Sequence, residues 1–301
     1  MTVLREKKTR SLKNTDAIWG YILIAPALIF VFGFTLLPVL GAFGISFAKW
    51  DLLSAPKLIG VGNYAKVFSD PVAKKTLINT FYYTFVSVPI GIILSLVLAV
   101  FLNQKVRGLS FFRTAYYIPV ISSTVAVAMV FLWIFDTNYG LMNQVLSLIG
   151  LGPVRWLTDG KWAMVSVIIV SVWRSLGFNM IIFLAALQDV PADIHDAAAI
   201  DGANELKKFL YIVVPLVSPA IFFSTITNFI GSFQSFDIVY NMTAGGPARA
   251  TYLIGFYIWE QAFKYLHMGY GASIAFVLFF MILILTLVQW GLRRKWVYGE
   301  E

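Results

Sequence analysis

Residues 265–292 read YLHMGYGASIAFVLFFMILILTLVQWGL, a run without one Asp, Glu, Lys or Arg. An α-helix rises ~1.5 Å per residue, so ~20 apolar residues cross the ~30 Å of hydrocarbon in a bilayer. Five more runs of this kind lie upstream. Four are uncharged, at 17–48, 76–104, 114–135 and 209–236, and the fifth, 162–188, is interrupted only by Arg174. The predicted spans are 18–42, 77–102, 111–135, 163–187, 212–237 and 267–291. The whole chain agrees: of 301 residues, 59% are hydrophobic and 13% charged, and mean hydropathy is +0.79. Soluble domains hold about 45–50% apolar and about 25% charged residues. Long apolar runs are not the short alternating strands of a β-barrel. The expected architecture is therefore an all-α integral membrane protein of six transmembrane helices. It has an N-terminal tail at 1–16, a membrane domain at 17–291 and a C-terminal tail at 292–301.

An even number of spans puts both termini on one side. With that side inside, the inner segments carry 13 Lys and Arg against 9 outside, the bias expected for cytoplasmic termini. Arg5, Lys7, Lys8, Arg10 and Lys13 flank the first span. That span is far longer than the roughly 7–15 residues of a signal-peptide core. The net charge of +8 suits anionic lipid head groups, and no basic face outside the membrane is large enough for nucleic acid. The absence of cysteine removes disulfides, thiolate metal sites and cysteine nucleophiles.

The longest inner loop contains HDAAAIDGA, residues 195–203, small and polar between two apolar runs. Pro191 and Asp193 suit a first helical turn. Ala197, Ala198 and Ala199 favour helix, Gly202 can end it in a left-handed cap, and Asn204 can cap a second helix starting ELKKFL. The result is a helix, a sharp turn and a second helix leading to Pro215. A solvated connector and a docking surface whose lack of bulk admits another protein both fit this composition.

The spacing adds a resemblance. Asp196-Ala197-Ala198, then Gly202, Ile212 and Pro215, resemble the cytoplasmic signature of ABC-importer permeases: Glu-Ala-Ala, three residues, Gly, nine residues, Ile-x-Leu-Pro. Asp196 stands for Glu and Val214 for Leu. NMTAGGPARAT (241–251) resembles the outer Gly-Gly-Pro loop of the carbohydrate-type members, GVGNYAKVFSDP (60–71) their Asn-Tyr segment, and FFRTAYYIP (111–119) also fits their pattern. The chain is similar to the maltose and glycerol-phosphate permease group over nearly its full length. The resemblance implies a type I importer fold in a bacterial or archaeal plasma membrane. It also implies a second permease subunit, favoured as a paralogue, two ATP-binding subunits and an extracytoplasmic substrate-binding protein. ATP and Mg would sit on the ATPase subunits, with no cofactor on this chain. The hairpin at 189–208 would be a coupling helix in a cleft of the ATPase, with Asp196, Ala197, Ala198, Asp201, Gly202, Ile212 and Pro215 its coupling residues. Gly245, Gly246 and Pro247 would meet the binding protein, with a simple turn as the other reading.

The candidate solute path is NFIGSFQSFDIVYN, 228–241. Asn228, Ser232 and Ser235 recur at helical spacing on one face, with Gln234 and Asp237 close by and Phe233 and Phe236 between. Hydroxyls and amides exchange hydrogen bonds with sugar hydroxyls, and aromatic faces cover sugar rings. The alternative is interhelical packing, with Gly231 and Ser232 as close-approach positions. Arg174, halfway down its span, is expected to make a structural ion pair with Asp237 or Asp136, the other reading being that it closes the outer side of the path. The hydroxyls of ISST (121–124) relieve backbone near Pro119. Tyr82, Tyr83, Trp133, Trp156, Trp162 and Trp259 read as interfacial anchors.

The sequence has no G-x-x-x-x-G-K-[ST] phosphate loop, and His195 and His267 fall on opposite sides of the membrane, so no metal site and no catalytic residue is assigned. The expected function is a non-enzymatic permease subunit of an ATP-driven importer for a sugar or oligosaccharide. The alternatives are glycerol phosphate or a polyol as cargo, and, in a different class, an ion-coupled secondary transporter.

Overall fold

A computed structural model describes residues 17–104, 108–191, 193–194, 198 and 200–299. Four helices are continuous and apolar: Ala17–Ser46, Pro71–Leu102, Gly160–Gln188 and Met268–Lys295. Two further spans are bent pairs, Leu109–Ile121 with Thr124–Ile134 at 102° and Glu205–Leu216 with Ser218–Phe233 at 67°. Counting each pair once gives six spans, at the predicted positions, but the third and fifth are not the unbroken helices that their uncharged runs suggest.

Local chemistry explains the breaks. In the third span Pro119 has no N–H to donate, and Ser122 and Ser123 follow in extended conformation (ψ 143° and 133°). The Ser122 hydroxyl donates to the Ile118 carbonyl at 2.8 Å, which the Ser122 N–H also reaches, so it adds a second bond at the break and does not replace the one Pro119 cannot make. In the fifth span Pro215 follows a π-helical turn, Phe209–Val213, and the chain bends at Val217 (φ −90°, ψ 4°). Pro219 cannot donate to the Pro215 carbonyl, and the Ser218 hydroxyl takes that role at 2.6 Å.

The second and fourth spans form the centre, with the fifth across them. A Cβ on Gly177 would collide with the Tyr116 carbonyl, so glycine is what lets the third span cross the fourth this closely. Buried apolar side chains form two clusters. One, towards the outer end, gathers around Phe135, Val167, Val239 and Leu253. The other, towards the inner end, gathers around Ile92, Leu96, Met180, Phe183 and Val217. The first span has none of its apolar window buried, and its main packing is of Leu37–Ser46 against the sixth.

The outer segment after the first span is tied down by the Asn-Tyr motif. Asn63 Nδ2 donates to the Ser46 and Ala48 carbonyls, each at 2.9 Å, and Tyr64 shares a 2.7 Å hydrogen bond with Ser46. Ala48–Lys49 pairs antiparallel with Lys57–Leu58.

Asp70 then caps the second span, accepting from the Val72 N–H at 2.8 Å. It also accepts from the hydroxyls of Tyr257 and Tyr270, at 2.6 and 2.7 Å. Partial burial pushes the Asp70 carboxyl up, but these phenols and the Val72 and Ala73 N–H groups outweigh it and hold it below the usual carboxylate range. A depressed folded-state value adds stability above about pH 4, the range of an unfolded Asp, and the gain is lost as pH falls through the folded value. Asp70→Asn is therefore expected to lower the melting temperature of the purified protein at neutral pH and to flatten its fall between about pH 5 and about pH 3. Equal pH slopes for the two proteins would show that Asp70 is not the group that titrates.

Two aromatic residues read as interfacial anchors are instead buried. Trp156 is 6% exposed, and its indole N–H donates to Asn143 Oδ1 at 2.9 Å. Tyr83 is 4% exposed, and its hydroxyl donates to Ser171 at 2.9 Å. Each sits inside because a polar partner on a neighbouring element satisfies its one polar atom. Tyr82, Trp133 and Trp162 are exposed, as an anchor would be, while Trp259 packs among Phe236, Tyr240 and Phe256.

Candidate functional site

A cavity of about 590 Å³ opens where the two apolar clusters meet, bounded by Val88 of the inner one and by Val172 and Ile238 of the outer one. Apart from Val120 of the third span and Gly231, the remaining lining is polar or aromatic. The second span supplies Tyr83 and Ser87, the fourth Ser171, Arg174, Ser175 and Phe178, and the fifth Thr227, Asn228, Gly231 and Ser232. The wall is completed by Gln234, Ser235, Phe236 and Asp237 just beyond the fifth span.

Hydrogen bonds between spans hold this wall in place. Ser232 donates to Thr84 of the second span at 3.1 Å. Asn179 and Asn228 exchange amide hydrogen bonds at 3.3 and 2.8 Å, joining the fourth and fifth spans beside the cavity. Ser171, Ser175 and Ser232 also donate to carbonyls of their own helices. Interhelical packing and cavity lining, set against each other in the sequence, are both performed by Asn228 and Ser232.

Three expectations about this segment change. The fifth span ends at Phe233, and Gln234 already has φ −89°, ψ 5°. Ser235 and Asp237 therefore reach the cavity through a turn and not through helical register, and Asp237 opens a separate short helix, Asp237–Met242. Phe233 is 1% exposed, packs on Phe81, and does not line the cavity. Arg174 makes no ion pair among the described residues, whose two salt bridges are Lys208–Glu205 and Lys264–Glu260. Of its two expected partners, Asp136 accepts the Asn138 and Tyr139 N–H groups at the outer end of the third span, and Asp237 is exposed.

The sequence reading missed Tyr83, Ser87, Ser171 and Ser175 as lining residues. The signal was present: Thr76, Thr80, Tyr83, Thr84 and Ser87 recur at three- and four-residue steps, one buried polar stripe along the second span that Ser95 extends two turns on.

The outer Gly-Gly-Pro loop is fastened to that stripe. Asn79 donates to the Arg249 and Tyr252 carbonyls at 2.9 and 3.2 Å, and Thr80 accepts the Ile254 N–H at 2.9 Å. Gly245 has φ +79° and is buried, and a Cβ there would strike the Tyr252 ring. It therefore shapes the loop from within and is not on its surface. Gly246 and Pro247 are half-buried, and the exposed tip is Ala244, Ala248 and Arg249.

Of the predicted inner hairpin, Asp196 and Ala197 lie outside the described residues. Ala198 is helical and 6% exposed. Gly202 has φ +77°, and the Ala203 N–H donates to the Ala198 carbonyl at 3.0 Å, the six-residue closure of a left-handed helix end. Asn204 accepts the Lys207 N–H at 2.9 Å and opens the next helix. Asp201 is exposed, and Ile212 and Pro215 are half-buried in the segment that leads to the bend at Val217. Ile200 at 85% and Leu206 at 65% exposure are uncovered apolar residues of the hairpin, and Tyr211 at 77% is exposed in the turn that follows it.

Residues 73–295 match the family described as binding-protein-dependent transport system inner membrane component. The lactose transport system permease protein LacF of Rhizobium radiobacter is 37% identical over 95% of this chain and 97% of its own length. The trehalose/maltose transport system permease protein MalF of Thermococcus litoralis is 34% identical over 95% and 97%. Among solved structures, a chain of a bacterial alginate ABC transporter, in complex with an alginate pentasaccharide-bound periplasmic protein, superposes with a TM-score of 0.81. It is 20% identical and covers 95% of this chain and 96% of its own, a likeness of fold. The chain belongs to the inner-membrane permease family of binding-protein-dependent transport systems, as an integral membrane subunit with the fold of an ABC importer permease.

Proposed function

We infer that the chain is one of two permease subunits of an ATP-driven importer for a sugar or oligosaccharide. The observation that carries this reading is the cavity itself. Hydroxyl and amide groups from three spans, with aromatic Tyr83, Phe178 and Phe236, converge on one cavity between the spans, and this chemistry matches a polyhydroxylated ring. Relatives named for lactose and for trehalose and maltose support the same cargo class. A second permease completes the path, two ATPase subunits carry ATP and Mg, and a binding protein delivers solute to the outer side, against the exposed tip Ala244, Ala248 and Arg249.

Coupling runs through the hairpin. Its exposed apolar residues Ile200 and Leu206 seat in the ATPase subunit, with Asp201 beside them as a charge. ATP favours the closed ATPase pair, and the hairpins move with it. Motion passes through Ile212 and Pro215 to the bend at Val217 and then to the fifth span, whose far half lines the cavity. An ion-coupled transporter usually shows an internal repeat and a carboxylate inside the spans, and the sequence has no clear repeat. Asp237 lies beyond the end of the fifth.

A tagged copy purified from its native membrane is expected to bring down a second permease and an ATPase, and sugar uptake is expected to require that ATPase. Uptake that persists when the ATPase subunits are absent would defeat the proposal.

A further inference from the structure

We propose that Arg174 is a solute-contacting residue, its guanidinium offering a planar fork of donors to two neighbouring oxygens of the sugar in transit. The proposal rests on the reading of the cavity as the solute path.

The first argument is depth. Arg174 lies fourteen residues from each end of Gly160–Gln188, or ~21 Å at ~1.5 Å per residue. A cation at mid-membrane is costly unless it is paired or hydrated, and such residues face cavities that carry polar cargo. Arg174 faces this one.

The second argument is the inventory of acceptors. No carboxylate of the described residues comes within ion-pair distance of Arg174, and it makes no hydrogen bond to them. No hydrogen bond joins it to its polar neighbours on the same helix, whose protons go elsewhere. Ser171 donates to the Val167 carbonyl and accepts from Tyr83, and Ser175 donates to the Val172 carbonyl. Arginine carries five N–H donors and no acceptor. The Arg174 fork therefore faces an open volume with no acceptor of the described residues bound to it, and a complementary ligand brings paired acceptors. Vicinal hydroxyls of a sugar supply such a pair, and so does the carboxylate of an acidic sugar. Lysine cannot replace this fork, because its ammonium is a point charge without bidentate geometry.

The third argument is polarity along the path. Asp237, exposed just beyond the fifth span, is the acceptor-rich counterpart that sugar O–H groups can donate to. Solute entering from outside passes an acceptor first and meets the donor fork further in.

The test uses the assembled importer with its binding protein, a panel of neutral disaccharides and uronate-containing disaccharides, and singly deoxygenated analogues of whichever sugar is carried. In the wild type, removing one or two particular hydroxyls is expected to cut uptake about tenfold, the scale of a lost hydrogen bond to a charged group. Arg174→Gln is expected to cut uptake of the parent sugar about as much and to erase the penalty at those positions. Arg174→Lys is expected to fall between. The comparison is internal, so any effect of the analogue on the binding protein cancels. If the carried sugar is acidic, the erased penalty is expected at its carboxylate instead.

Deoxy penalties that are equal in wild type and Arg174→Gln would overturn the proposal. So would Arg174→Gln failing to co-purify the partner permease, since Arg174 would then be an intersubunit ion pair. If the wild-type importer carries no sugar of the panel, the sugar-path reading falls and this inference with it. If it carries sugar but ignores Arg174, only the inference falls.

Discussion

Gly202→Pro is expected to reduce solute-stimulated ATP hydrolysis of the assembled importer to its unstimulated level while the chain remains in the membrane. Gly202 has φ +77°, and the proline ring fixes φ near −65°, so the closure between Ala203 N–H and the Ala198 carbonyl cannot form. The hairpin then loses its turn, and its apolar face no longer meets the ATPase as a unit. Gly202→Ala is a graded control, because a left-handed conformation costs an L-residue only roughly 1–2 kcal/mol. Ala198→Trp tests the same element from inside. Ala198 is 6% exposed, and an indole there forces the helix off its seat. Stimulated ATPase activity that survives in both Gly202→Pro and Ala198→Trp removes the hairpin from the coupling route.

Ser235→Trp is expected to abolish uptake with subunit assembly intact. Ser235 lies in the turn after Phe233 and lines the cavity, so an indole projects into open volume and not into the packed core. The same substitution at Phe233, which packs on Phe81 and Phe229, would test the core instead. The diagnostic pattern is lost uptake with unchanged co-purification of the partner subunits. Wild-type uptake by Ser235→Trp would move the solute path away from this cavity.

The sixth run fixed the class of this protein, and the five upstream runs fixed its number of spans, because a bilayer imposes length and apolarity on any helix that crosses it. The helix signals at Gly202 and Asn204 were equally legible. A left-handed end and an N-cap are decided by the residues themselves, within one turn of chain.

The breaks in the third and fifth spans were not legible in this way. Pro119 and Pro215 precede bends, yet Pro38 and Pro89 lie inside continuous helices. A proline removes one hydrogen bond wherever it sits. Whether the helix then bends depends on which neighbour can pack against the opened backbone, and that neighbour is distant in sequence. Burial of Tyr83 and Trp156 follows the same rule, since Ser171 and Asn143 satisfy their polar atoms across elements. The unpaired state of Arg174 was likewise settled in three dimensions, because a charge finds or misses its partner only when helices from different parts of the chain come together. Sequence alone determined that six apolar segments cross a membrane around a small-residue hairpin. Tertiary structure alone decided where those segments break, which polar groups face the shared cavity, and that Arg174 there pairs with no carboxylate of the described residues. Local propensity acts over one helical turn, whereas a cavity is a property of surfaces that only packing brings together.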